Sequence, residues 1–307
     1  MNRGRREILA LLGATGLAGA AAGCAKAEPA LREAPDPLDR LAPSGREPAV
    51  IRVGITPSAG QSTAALLAPL VEYLAAAHGL TAEVTAAPTY DALAASLRAA
   101  SVDAAFFSPL AYVEARTSLP AVAVATAARA GSPTYLGYLV VGEADSAESL
   151  ADLQGKSIGW VDRTSTSGFL YPRSLVRSRG HDPDRFFGEQ RFYGNHLSVI
   201  AAVASGEIEV GATASPFVDP DRGDGSEPQH HVRVVAKTSR IPLDCAVVHE
   251  SLSRGIGKRW RDGLLSLARD LRASERLAQT WGMSGFARVE AKHYDEIATV
   301  LGVERGG

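Results

Sequence analysis

The sequence predicts an α/β protein built from two mixed, mostly parallel sheets. Short apolar or β-branched runs alternate with segments of helical spacing, first over residues 49–107 and again from residue 134. This alternation is typical of strands joined by helical crossovers. The body of the chain, residues 49–307, is long enough for two modest hydrophobic cores. Such sheets bind ligands at the carboxyl ends of their strands, so the polar loops at these ends are the first candidates for a site.

Residues 1–23 form a predicted export signal. Three arginines precede an apolar run over residues 8–22, which is too short to span a membrane. The Arg5-Arg6 pair resembles a twin-arginine signal, and the small residues before Cys24 resemble a bacterial lipobox, in which Cys24 would be lipidated and become the mature N-terminus. The alternative is an ordinary cleaved signal peptide, because Ala21 stands where the lipobox usually has Leu.

After the leader, the chain divides into a tether and two domains. Residues 24–48 are rich in Ala, Pro, Glu and Arg without apolar periodicity, which predicts a flexible tether. Domain I comprises residues 49–133 and 241–307, and domain II comprises residues 134–240. Because the chain crosses twice between these domains, a hinge can close them over a ligand in a central cleft.

Hydrophobic spacing gives the elements of each domain in order. Those predicted for domain I are strand 49–55, helix 66–78, strand 81–85, helix 91–100, strand 102–107, strand 241–248 and helices 260–273, 275–281 and 289–301. Those predicted for domain II are strand 135–141, helix 146–153, strand 157–161, helix 169–179, strand 190–193, helix 197–204 and strands 208–213 and 232–236.

A hydroxyl-rich turn separates strand 157–161 from helix 169–179. Residues 164–167 carry four hydroxyls in succession and are followed by Gly168. A turn of this kind aims backbone N–H groups and hydroxyls at one point in front of the helix, where the macrodipole is positive. The turn therefore predicts a site for a small oxyanion. The alternative is that one Ser or Thr simply caps the helix.

Gly194-Asn195-His196 repeats this geometry of strand, polar turn and helix. If the two helix N-termini converge, Asn195 and His196 add side-chain donors to the backbone N–H groups. A purely structural histidine is the alternative for His196. Tyr90 and Tyr112 lie in loops that can face the same crevice and donate O–H bonds, although a lone tyrosine is also a common packing residue.

Composition and motif spacing argue against nucleic-acid and metal binding. The formal charge of the full chain is −2. Cleavage of the leader would take away three Arg and one Glu and leave a charge of −4, so the mature chain has no excess of basic residues for binding a nucleic acid. The polar loop 219–231 lacks the acid spacing of a calcium loop, and His230-His231 lacks a second ligand pair. We therefore expect no metal, no other cofactor and a solvated loop.

The rival hypothesis is a hydrolase with Ser165 or Ser167 as nucleophile and His196 as base. The sequence has no Gly-x-Ser-x-Gly elbow and no acid that would orient the histidine, so we expect no catalytic residue. The chain contains two cysteines, and if Cys24 carries lipid then Cys245 has no intramolecular partner. We expect Cys245 to be a buried structural thiol.

In this order, the elements resemble the solute-binding proteins of ABC transporters for phosphonate, phosphite and phosphate, which have the periplasmic-binding-protein type 2 fold. The resemblance covers nearly all of residues 49–307. The motifs that carry it include Ile51-Arg-Val-Gly-Ile-Thr-Pro57, Val102-Asp-Ala-Ala-Phe-Phe-Ser-Pro-Leu-Ala-Tyr112, Val161-Asp-Arg-Thr-Ser-Thr-Ser-Gly168 and Gly194-Asn-His196. The Ser-Thr-Ser-Gly turn together with Gly-x-His is the most specific part.

The resemblance implies a set of binding residues. The oxyanion would be held by Ser165, Thr166, Ser167 and His196, and the aromatic lining would be Tyr90, Tyr112 and Tyr135. Ser108 replaces a common Gly, and Arg163 replaces a common Pro, where it could strengthen the site or merely face water. Asp219 is a candidate partner for the amine of an aminophosphonate.

The function implied is that of a non-catalytic receptor, exported and anchored by lipid to the outer face of the cell membrane, or periplasmic. It would bind a phosphonate or phosphite, and phosphate less readily, and present the ligand to an ABC permease in the membrane. A binding protein that senses the ligand for a membrane signalling partner is the alternative. We expect a monomer.

Overall fold

The computed structural model describes residues 36–56, 63–219, 231–290 and 292–306, all within one compact unit, Pro35–Gly307. The predictions for the leader, for Cys24, for most of the tether and for loop residues 220–230 lie outside these residues. No helix in the described ranges is both long enough and apolar enough to span a membrane.

The described residues form eleven strands and nine helices. The strands are β1 (Ile51–Ile55), β2 (Ala82–Ala86), β3 (Ala104–Phe107), β4 (Ala121–Ala128), β5 (Thr134–Gly142), β6 (Ile158–Trp160), β7 (Gln190–Phe192), β8 (Val210–Ala214), β9 (Val232–Pro242), β10 (Cys245–His249) and β11 (Gly285–Ala287). The helices are α1 (Thr63–His78), α2 (Tyr90–Arg98), α3 (Pro109–Ala115), α4 (Tyr171–Ser178), α5 (Pro183–Phe186), α6 (His196–Ala204), α7 (Arg254–Ser266), α8 (Leu271–Trp281) and α9 (Asp295–Gly306).

These strands form two mixed sheets. Sheet I has the order β11-β4-β10-β3-β1-β2, and sheet II has the order β7-β6-β8-β5-β9. Strands β1, β2 and β3 run parallel, as do β6, β7 and β8, which agrees with the predicted alternation of strands and helices. The remaining pairings are antiparallel. The antiparallel share is larger than in the predicted, mostly parallel sheets. The connections β4–β5 and β9–β10 contain no helix and cross from one sheet to the other.

Several elements differ from the predictions for local reasons. Strand β4 was not predicted because its sequence is rich in alanine, which has a low strand propensity, yet it is almost wholly buried between β10 and β11. The predicted helix 146–153 is reduced to the 3₁₀ turn Leu150–Leu153. There the Asp152 carboxylate accepts the N–H groups of Glu148 and Ser149, which fixes a tight turn instead of a regular helix. Helices α3 and α5 and strand β11 were also not predicted.

Strand β6 lies between β7 and β8 in sheet II and is held firmly there. Trp160 at its end is fully buried and packs edge-on against Phe169 and Phe187. The indole N–H donates to the side chain of Gln190 at 2.9 Å. The hydroxyl-rich turn therefore begins from a rigid position.

Helix α9 contacts elements on both sides of the molecule. It packs against α3, which follows strand β3 of sheet I, and against α4, which follows the hydroxyl-rich turn of sheet II. Ile297 on α9 belongs to a buried apolar cluster that also contains Tyr171 of α4 and Val247 of β10. This cluster joins the two sheets behind the loops described next.

Candidate ligand-binding site

A cavity of about 760 Å³, called the cleft below, is lined by loops that follow strands of both sheets. Among the predicted site residues, those that line it are Tyr90, Ser108, Tyr135, Ser165, Thr166, Ser167 and His196. Ser108 caps the N-terminus of α3, and Ser165 lies at the start of the hydroxyl-rich turn. The fold thus brings loops from both sheets to one place.

The hydroxyl-rich turn folds tightly against the end of β6. A Cβ atom on Gly168 would lie 2.3 Å from a methyl group of Val161, so only glycine fits there. The Ser165 hydroxyl accepts the N–H of Gly168 at 3.0 Å, which leaves its own hydrogen available to a ligand. Ser165 therefore caps the turn, and the capping role and the ligand role are compatible.

The turn continues as a single π-helical turn, Thr166–Leu170, that runs directly into α4. Such π-turns occur frequently at functional sites. The N–H groups of Thr166 and Ser167 lie in the first turn, where a helix offers no internal acceptor. Both residues are only 2 % exposed, although both line the cleft. Backbone dipoles and hydroxyls therefore point into a small, protected space.

Thr166 also bridges the two sides of the cleft. Its hydroxyl accepts the backbone N–H of Leu110 at 3.0 Å, and this contact is buried. Leu110 lies in the first turn of α3, where the N–H groups need an external acceptor. Because the Thr166 oxygen accepts this bond, its hydrogen remains available for a ligand oxygen.

Two tyrosines complete the polar lining. The phenol of Tyr135 interacts with the hydroxyl of Ser167, and the phenol of Tyr90 interacts with that of Ser108. Burial raises the pKa of both tyrosines above its usual value, so they remain neutral O–H donors.

His196 contributes a neutral imidazole to the sheet II side. Its Nδ1 atom lies 3.1 Å from the Thr213 hydroxyl, and its ring stacks on Phe217 with the centroids 4.6 Å apart. Burial lowers its pKa from 6.5 to about 4. With Nδ1 engaged by Thr213, Nε2 is the nitrogen left for a ligand.

The structure does not bring every predicted residue into the cleft. Tyr112 is not among the described residues that line it, because α3 turns this ring against Tyr294, with the centroids 5.1 Å apart. Asn195 likewise acts as the cap of α6, where its side-chain oxygen accepts the N–H of Ser198. Both carboxylate oxygens of Asp219 lie within 3.1 Å of the Tyr138 hydroxyl, which donates to the carboxylate. Arg163 is exposed at the rim, with its guanidinium 4.9 Å from the ring centroid of Phe192.

Sequence reasoning missed Asp244, which lines the cleft from the sheet I side. It lies between β9 and β10, where the chain returns from sheet II to sheet I. Burial raises the pKa of its carboxyl from 3.8 to about 7. Within the described ranges, no side chain forms an ion pair or a hydrogen bond with this carboxyl. A lone acid after a proline and a leucine carries no motif, so only the fold reveals it.

The arrangement suits recognition of a tetrahedral oxyanion. Neutral donors converge from both sides. The Asp244 carboxyl, which has no side-chain partner among the described residues, lies on the sheet I side. The described residues contain no group of three or more His, Cys, Asp or Glu side chains placed to hold a metal ion. Binding in this cleft would therefore depend on hydrogen bonds and backbone dipoles. The lining also carries three arginines and, with Asp244, four acids.

Residues 53–294 match the family described as the periplasmic substrate-binding protein of the phosphonate ABC transporter. The chain belongs to this family. Its members are substrate-binding transport proteins and not enzymes, which overturns the hydrolase hypothesis for Ser165, Ser167 and His196.

Two curated relatives are similar to part of the chain. The phosphate-import protein PhnD of Mycolicibacterium smegmatis is 31% identical over 169 residues, which are 51% of this chain and 53% of the relative. The phosphonates-binding periplasmic protein of Escherichia coli is 28% identical over 172 residues, which are 54% of this chain and 51% of the relative. The chain thus spans about half the length of the curated relatives it matches.

Solved structures confirm the periplasmic-binding-protein type 2 fold. A binding protein component of an ABC phosphonate transporter from Pseudomonas aeruginosa is 22% identical, with a TM-score of 0.70 over 83% of this chain and 86% of that chain. PhnD1 from Prochlorococcus marinus in complex with methylphosphonate is 20% identical, with a TM-score of 0.70 over 85% of this chain and 99% of that chain.

Proposed function

We propose that this protein is the extracytoplasmic binding lipoprotein of an ABC importer and that it holds a small phosphorus oxyanion in the cleft. A phosphonate or phosphite is the expected ligand, with phosphate next. The observation that carries this proposal is the set of buried hydroxyls on Ser165, Thr166 and Ser167, in one cleft with the Asp244 carboxyl, which no described side chain pairs.

Asp244 favours a ligand that carries an exchangeable proton. A carboxylate facing a fully ionised oxyanion at short range is repelled, whereas an O–H or N–H group on the ligand gives it a hydrogen bond. A singly protonated phosphonate or phosphite offers such an O–H, and an aminoalkylphosphonate also offers an ammonium. Sulfate and sulfonates without an amine offer neither at neutral pH, so they should bind more weakly.

The relatives support the same class of ligand. One named relative imports phosphate, another binds phosphonates, and a solved structure of the same fold contains methylphosphonate. Asp244 is a candidate partner for the amine of an aminophosphonate, whereas Asp219 is already engaged by Tyr138. We expect phosphonates and phosphite to bind about equally well, phosphate more weakly and sulfate most weakly.

A thermal-shift panel tests the proposal directly. Phosphite, methylphosphonate, 2-aminoethylphosphonate, phosphate and sulfate are each added to the purified protein. A true ligand at a hundredfold excess over its dissociation constant should stabilise the fold by about 2.7 kcal/mol. Trp160 lies at the end of the strand that feeds the turn, so its fluorescence should report the same event. If no phosphorus oxyanion raises the melting temperature, the proposed function is wrong.

The anchor is a separate part of the proposal and rests on Cys24. We expect the full-length protein to fractionate with membranes and to carry a lipid mass, and Cys24→Ser to lose both. Membrane fractionation of Cys24→Ser equal to that of the parent would refute lipid anchoring without affecting the ligand assignment.

A further inference from the structure

The return crossing that carries Asp244 is fixed by side chains from two distant segments. The carbonyl of Leu243 accepts the hydroxyl of Tyr294 at 3.0 Å and that of Thr126 at 3.2 Å. Both donors are buried, with Tyr294 2 % exposed and Thr126 fully inside. The backbone is also held, because the Leu243 N–H donates to the carbonyl of Pro133 and the Asp244 carbonyl accepts the N–H of Ala127.

The double bond to Leu243 has a direct consequence for Asp244. The carbonyl of Leu243 and the N–H of Asp244 belong to one rigid peptide plane, so fixing the carbonyl restricts the direction in which the Asp244 side chain leaves the backbone. The carboxyl itself has no side-chain partner among the described residues. Its position in the cleft is therefore set by its own backbone, and through that backbone by Tyr294 and Thr126.

We infer that Tyr294, together with Thr126, is a positioning residue for the acid that meets the ligand. The inference rests on the proposed function, because it requires Asp244 to contact the bound ligand. Tyr294 directly precedes α9, so the C-terminal helix serves the binding site although Tyr294 itself does not line the cleft. The same ring packs against Tyr112, which explains why the Tyr112 side chain does not line the cleft.

The test is the affinity for methylphosphonate, measured by calorimetry, in the parent and in Tyr294→Phe, Asp244→Asn and the double variant. Tyr294→Phe keeps the ring and loses one neutral hydrogen bond, so we expect a three- to tenfold weaker affinity. In the Asp244→Asn background, the same change should have no further effect, because the two residues act in one chain of contacts. Equal losses in both backgrounds would mean that Tyr294 is merely structural, and the inference would be wrong.

Tyr73→Phe is the matched control. It also removes a phenol O–H, one that lies 2.9 Å from the Ser266 hydroxyl away from the cleft, so it should lower stability without weakening binding. If Asp244→Asn binds too weakly to measure, the Thr126 variants decide. Thr126→Val should weaken binding, because valine has no hydroxyl to donate to the Leu243 carbonyl. Thr126→Ser keeps this hydroxyl and should bind as the parent does.

The outcomes separate the two proposals. A parent that binds no phosphorus oxyanion overturns the proposed function and this inference together. A parent that binds, with Asp244→Asn weakened but Tyr294→Phe and Thr126→Val unchanged, overturns only the positioning role.

Discussion

The two sides of the cleft are assembled in different ways. On the sheet II side, Ser165, Thr166 and Ser167 are consecutive in one turn. On the sheet I side, Asp244 is far in sequence from Tyr90 and Ser108, and the residue before it is held by side chains 51 and 117 positions away in the sequence. The first side offers a run of neutral donors, and the second adds the Asp244 carboxyl to two hydroxyls that are scattered in sequence. A local motif and a long-range arrangement thus make complementary halves of one site.

The largest expected effect comes from the sheet II side. Thr166→Ala removes a donor to a charged ligand and should weaken binding of methylphosphonate by about 1.5–3 kcal/mol. It should also lower the free energy of unfolding of the unliganded protein by about 1–3 kcal/mol, because the buried N–H of Leu110 loses its acceptor. Calorimetry and denaturant unfolding measure the two effects.

Thr299→Ala is the control for this prediction. Thr299 is exposed on α9 and its hydroxyl bonds only within that helix, to the carbonyl of Asp295. Both measurements should be close to those of the parent. The Thr166 bond joins the two sides of the cleft. Ligand binding should compact the parent, and small-angle scattering should show whether it still compacts the Thr166→Ala variant.

Unchanged binding of methylphosphonate by Thr166→Ala would refute the central role of the turn.

On the sheet I side, substitution should change the stability of the unliganded protein in the opposite direction. Asp244→Asn should weaken ligand binding but stabilise the unliganded protein at pH 8 by about 2 kcal/mol. This is half of the roughly 4 kcal/mol that the two pKa values imply, because the residue is only partly buried. The folded carboxyl has a pKa of about 7 against 3.8 in the unfolded chain, so the parent loses stability as the pH rises from about 4 to about 7. The gain should vanish below about pH 4, where both states are protonated. If the variant is no more stable than the parent at pH 8, the buried carboxyl does not lower the free energy of unfolding.

The same contrast explains what the sequence could predict. The turn at residues 164–168 was predicted because its hydroxyls, its glycine and the helix that follows are contiguous. Tyr112 could not be placed correctly, because its direction depends on α3, a helix that starts at a Pro after Ser108 and was not predicted. Asp244 could not be found at all, because its role depends on contacts with Tyr294 and Thr126 through Leu243. Sequence patterns reveal what is local, and packing between distant segments decides the rest.

The smallest expected effect concerns His196, which titrates in the direction opposite to Asp244. Its pKa is about 4 in the fold against 6.5 in the unfolded chain, so between these values the unfolded chain binds more protons and stability falls as the pH is lowered. We expect the free energy of unfolding to fall by about 1 kcal/mol between pH 7 and pH 5.5, measured in the Asp244→Asn background so that the acid does not mask the change.

His196→Gln in the same background should lack this fall in stability. Burial also lowers the pKa of His249 and His293, but both are present in the two variants and cancel in the comparison. Parallel stability curves would show that the imidazole of His196 can take up a proton in the fold, and the neutral character assigned to the sheet II side would then be wrong.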